Sequence, residues 1–149
     1  QSVVALAPKS STLPPPPPPY FSQSGKSFFL RPVTVFEIER VSQSMKNSFG
    51  APDGVPALVL KSVMGRIAPL LCAIFNASFS QGIVPLELKS SLVIPVLKKG
   101  DAQDVRNYRP ISLLCFIAKI MERIVYNRLL DYLNSIEFFS ASQHGFLKD

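Results

Sequence analysis

At 149 residues with 47% hydrophobic content, the chain is long enough for one domain with a core of its own and too short for several. Its net charge of +6 suits an anionic partner better than a cationic one. The single histidine, His144, and two isolated cysteines, Cys72 and Cys115, exclude a zinc site of the Cys/His kind, and the sequence assembles no Ser-His-Asp arrangement around His144.

The first segment, residues 1–31, reads as a disordered proline-rich leader. Six consecutive prolines, Pro14 to Pro19, force polyproline II, and Tyr20 follows them. Pro17 to Tyr20 also fits a proline-proline-any-tyrosine pattern, so a WW-type domain is a candidate partner, with a stiff linker as the alternative.

A helix is expected from Thr34, because Thr34 and Glu37 stand at capping-box spacing just after Pro32. Val35, Ile38, Val41, Met45 and Phe49 form its apolar stripe, and the turn Gly50 to Gly54 ends it. Pro56 then suits the first turn of a helix running through about Met64. A third helix is expected near Ile67 to Ser80, closed by Gly82. The longest apolar run, Ile67 to Phe75, is too short to cross a bilayer, and there is no secretory signal, so no membrane partner is expected. Cys72 and Cys115 each sit inside apolar sequence and read as buried free thiols, which points to an intracellular protein, nuclear or cytoplasmic.

Val93, Ile94, Val96 and Leu97 make a strand whose Pro95 confines it to an edge or a bulge. Lys98 and Lys99 stand at its end, Gly100-Asp101 supplies a turn, and Pro110 biases Arg109 toward a second strand. The unit is a hairpin-like clamp with cationic tips, suited to a polyphosphate. Between Pro85 and Arg128 the chain carries Lys89, Lys98, Lys99, Arg106, Arg109, Lys119, Arg123 and Arg128 against Glu87, Asp101, Asp104 and Glu122, so the basic excess falls here. Asp101 and Asp104, the nearest acidic pair, lie among lysines and arginines and read as turn residues rather than metal ligands. Arg109 could instead be structural, pairing with Asp101 or Asp104, and the two lysines could be solvated turn residues.

The clearest periodicity runs over about Phe116 to Asn134, where Ile117, Ile120, Met121, Ile124, Val125, Leu129, Tyr132 and Leu133 share one face. Lys119, Glu122, Arg123, Asn127 and Asp131 make the solvated face. The tail contains Gln143-His144-Gly145-Phe146.

In order from roughly Phe36 to Phe146, the stretches APDGVPALVLK, FSQGIVPLELKSS, VIPVLKKGD, NYRPISLL, KIMERIVYNRL and QHGF resemble the N-terminal part of the reverse transcriptases of non-LTR (LINE-type) retrotransposons. The resemblance implies an α+β fold: a helical N-terminal extension, the fingers β-hairpin and a long amphipathic helix, with residues 32–149 as the fingers-side part of the reverse transcriptase domain. It implies that Lys98, Lys99 and Arg109 reach the triphosphate of the incoming nucleotide, and that Gln143, His144, Gly145 and Phe146 lie by the template. Template RNA and primer DNA are the partners it implies for the complete enzyme, and Mg2+ the cofactor. The aspartates that hold two such ions about 4 Å apart would belong to motifs beyond Asp149. No catalytic residue and no metal ligand is therefore expected here, and the chain is expected to be inactive alone. Two other classes stay open: a non-catalytic basic RNA-binding module, and an adaptor acting through residues 14–20.

Overall fold

The computed structural model describes residues 27–47 and 53–139. Five helices and two strands are formed there: α1 (Val35–Ser44), α2 (Ala57–Ser62), α3 (Met64–Gln81), α4 (Leu86–Lys89), β1 (Ser91–Leu97), β2 (Tyr108–Leu114) and α5 (Phe116–Ser135), with a 3-10 turn, Val105–Asn107, leading into β2. The architecture is α+β, with an antiparallel hairpin beside a helical core.

Thr34 caps α1 as its spacing predicts, its hydroxyl accepting from the Glu37 N–H at 3.2 Å. The box is only half closed, because the Glu37 carboxylate turns to Arg128. The helix ends at Ser44, earlier than the stripe to Phe49 suggests, as Met45 turns extended. Phe49 and the turn residues Gly50 to Pro52 lie outside the described residues. Pro56 sits at the N-cap of α2, one place before the first-turn position assigned to it.

The third helix starts three residues earlier than its pattern indicates and runs through Pro69, whose ring removes one bond to the Gly65 carbonyl. Both residues are exposed, so water can satisfy that carbonyl. Gly82 ends α3 in the left-handed region, φ 68°, donating its N–H to the Ser78 carbonyl.

The core lies between α1, α3 and α5. Ile38 and Val41 from α1, Met64, Ala68, Leu71 and Phe75 from α3, and Phe116, Ile120, Met121 and Ile124 from α5 form one buried cluster. Here the sequence periodicities hold, since each contributes one stripe to a common interior. Leu129 departs from its pattern: 40% exposed, it faces solvent while its neighbour Arg128 is buried.

That inversion has an electrostatic cause. The Arg128 guanidinium donates to the Glu37 carboxylate at 2.7 and 3.3 Å, to the Pro32 carbonyl at 3.2 Å and to the Arg31 carbonyl, and it lies 5.8 Å from the Phe79 ring centroid. Asn76 fastens the next residue, accepting from the Val33 N–H at 2.6 Å and donating to the Val33 carbonyl at 3.0 Å. The extended segment before α1 is thus tied to α3 and α5 through its own backbone, which satisfies polar groups that burial would otherwise leave unpaired. Both cysteines are free thiols. Cys115 is buried and caps α5, accepting from the Ala118 N–H at 3.4 Å, whereas Cys72 is only partly buried and donates to the Val33 carbonyl at 3.1 Å.

Candidate nucleotide-contacting hairpin

β1 and β2 pair in a register that sets Pro95 opposite Pro110 and Val96 opposite Arg109. The Lys98 N–H donates to the Asn107 carbonyl at 2.8 Å, so that pair is bonded across the strands. Antiparallel pairs alternate, which makes Val96 and Arg109 bonded and leaves both prolines at a non-bonded position, where a missing N–H costs the ladder nothing. The same proline pair removes one outward-facing donor from each edge of the hairpin, which discourages a further strand from pairing there.

Register also sorts the side chains by face. Ile94, Val96 and Lys98 share a face with Arg109 and Ile111. Val93, Pro95, Tyr108 and Pro110 occupy the opposite face, where with Ala102 and Val105 they line a groove of about 560 Å³. Lys98 and Arg109 are therefore diagonal neighbours on one exposed surface, and Lys99 follows in the turn.

The loop between the strands consumes its own acids. The Asp104 carboxylate accepts from the Arg106 backbone N–H at 3.0 Å and from its guanidinium at 2.8, 3.0 and 3.1 Å. Asp101 accepts from the Gln103 N–H at 2.9 Å. No hydrogen bond or ion pair holds the side chain of Lys98, Lys99 or Arg109 among the described residues, so the alternative of Arg109 pairing with Asp101 or Asp104 does not occur. Arg106, read from sequence only as part of the basic excess, is spent on Asp104. The local spacing Asp-x-Arg, with the carboxylate capping a short turn, was the signal for it.

The Arg106 guanidinium, with the Arg106 N–H behind it, holds the Asp104 carboxyl below the usual carboxylate range. A lowered folded-state value means that the interaction favours the closed loop above the ordinary carboxylate pKa and is lost as pH falls through the lowered one. In a carbon-detected NMR titration Asp104 is expected to protonate below the ordinary carboxylate range. Arg106→Ala should move Asp104 part of the way back toward the ordinary value, since the backbone N–H at 106 remains; an unchanged titration would contradict the pairing.

No group of three or more His, Cys, Asp or Glu that could hold a metal ion occurs among the described residues. With Asp104 turned to Arg106 and Asp101 to the loop amide, the hairpin does not fit a magnesium site. No helix among the described residues is long and apolar enough to cross a membrane. Gln143, His144, Gly145 and Phe146, like Pro17 to Tyr20, lie outside the described residues.

The chain is 32% identical over 120 residues to a probable RNA-directed DNA polymerase from transposon BS of Drosophila melanogaster, covering 78% of this chain and 13% of that protein. It is 40% identical over 77 residues to the RNA-directed DNA polymerase from mobile element jockey of the same fly, covering 51% of this chain and 8% of the relative. The jockey polymerase of Drosophila funebris is 30% identical over 117 residues, 77% of this chain and 13% of its own. Over much of its length the chain is thus related to RNA-directed DNA polymerases of non-LTR retrotransposons. It spans 13% or less of the length of these three relatives. No family model matches it.

Proposed function

We propose that residues 32–149 form the N-terminal, fingers-side part of a reverse transcriptase fold, preceded by a proline-rich leader over residues 1–31, and that the hairpin contacts the triphosphate of the incoming nucleotide. The observation that carries this reading is the exposed face shared by Lys98 and Arg109, with the acids of the same loop engaged elsewhere. Guanidinium and ammonium groups can neutralise a triphosphate through charge-assisted hydrogen bonds, with Arg109 supplying a planar fork and the lysines point charges. Gln143, His144, Gly145 and Phe146 would contact the template strand. RNA template and DNA primer are the partners, inside the cell. Magnesium belongs to carboxylates outside this hairpin, and none of its residues is given a role toward that ion.

A two-armed primer-extension assay tests the reading. On a primed RNA with magnesium and deoxynucleotides, the purified 149-residue chain should extend nothing. The same residues joined to the downstream catalytic part of their element should extend the primer, and Lys98→Ala with Lys99→Ala should then raise the nucleotide KM and leave RNA affinity unchanged. Extension by the chain alone, or lysine variants that weaken RNA binding and spare the nucleotide KM, would contradict it; the latter would favour a basic RNA-binding module instead.

A further inference from the structure

The lysine turn is built around one side chain that the sequence reading leaves unassigned. Gly100 has φ 89°, a region that side chains rarely adopt, and a Cβ there would stand 2.7 Å from Nδ2, 3.0 Å from Cγ and 3.1 Å from Oδ1 of Asn107. The Asn107 amide thus lies flat against the glycine. From that position its Nδ2 donates to the Asp101 carbonyl at 2.9 Å, its backbone carbonyl accepts from the Lys98 N–H at 2.8 Å, and its own N–H donates to the Asp104 carbonyl at 3.0 Å. One residue therefore grips both sides of the Lys98–Asp101 turn, and no other side chain among the described residues bonds to the backbone of Lys98 to Asp101.

We infer that Asn107 is a positioning residue: its amide, closed over Gly100, holds the Lys98-Lys99 turn in the conformation that meets a triphosphate. This rests on the nucleotide reading above. The glycine and the asparagine act as one device, since the amide can occupy its place only where position 100 lacks a Cβ. Neither group touches the phosphates itself. The lysines are exposed and free to reorient, so holding their backbone fixes where their charges can converge and lowers the ordering cost at binding.

The test is a titration of the 149-residue chain with tripolyphosphate, followed through the amide NMR shifts of Lys98 and Lys99, beside far-UV melting of the helices. Removing one neutral hydrogen bond should raise the tripolyphosphate Kd roughly three- to tenfold in Asn107→Ala. Helical melting should stay put, because the hairpin lies apart from the core cluster. Asn107→Asp, which keeps the shape and loses the donor, should not restore affinity. Gly100→Ala should weaken binding too, through backbone strain at φ 89° as well as the lost contact, and combined with Asn107→Ala the loss should be smaller than the sum of the two, as both changes break the same contact. Strictly additive losses, or an Asn107→Asp variant of full affinity, would overturn the inference. Lys98→Ala with Lys99→Ala separates the two readings: if that variant binds tripolyphosphate normally, the nucleotide reading fails and this one with it. If the lysine variant loses binding and Asn107→Ala does not, only the positioning role fails.

Discussion

Replacing Arg128 by alanine is expected to cost about 3–5 kcal/mol of unfolding free energy, the largest loss of any single change considered for this chain. The side chains of Arg128 and Glu37 are only 6% and 15% exposed, so the pair is shielded from water on both sides. Removing the guanidinium strands the Glu37 carboxylate and leaves the Arg31 and Pro32 carbonyls without their donor. Glu37→Ala should cost less, because the guanidinium keeps two carbonyl acceptors. The double change Arg128→Met with Glu37→Leu should recover much of the loss, since an apolar pair of similar volume needs no desolvation of charge. Urea denaturation of the three variants checks the order. A loss below about 1 kcal/mol for Arg128→Ala would mean that the pair behaves as a surface salt bridge.

Arg109→Ala is expected to act on nucleotide use and hardly at all on stability. The side chain is exposed on β2 and bonded to nothing among the described residues, so its removal leaves no buried group unpaired. A charge-assisted contact to phosphate contributes roughly 1.5 to 3 kcal/mol, which converts to about a ten- to hundredfold rise in nucleotide KM. Arg109→Lys should recover part of that, because an ammonium keeps the charge and loses the two-pronged geometry. The bonded pairing with Val96 uses backbone groups alone and survives either change.

The parts of the fold that could be read from sequence are those in which a local pattern and its tertiary outcome agree. The stripes of α1, α3 and α5 each face the interior, the Thr34 cap forms, and Gly82 closes α3, because periodicity and capping act within a few residues. The hairpin was legible for the same reason, and the opposed prolines came as a gain of information, since register between strands is not encoded in either strand alone. Four residues of α4 are too few for a period to appear, and the break between α2 and α3, expected between Met64 and Ile67, falls at Val63, where no glycine or proline marks it. Arg128 entered the sequence reading only as part of the basic excess, because its partner Glu37 stands 91 positions away. Within the hairpin, the cations at 98, 99 and 109 followed from composition and turn chemistry. The work of Asn107 depends on a contact with Gly100 across the loop, which no spacing rule announces.

The nucleotide KM and the unfolding midpoint of Arg109→Ala, measured together in a polymerase that joins these residues to the downstream catalytic part, decide whether Arg109 meets the triphosphate. The expected result is a KM raised about ten- to hundredfold with the midpoint unchanged, and a partial return toward the parent KM in Arg109→Lys. A lowered midpoint with the parent KM retained would show instead that Arg109 serves the fold, and would contradict its contact with the triphosphate.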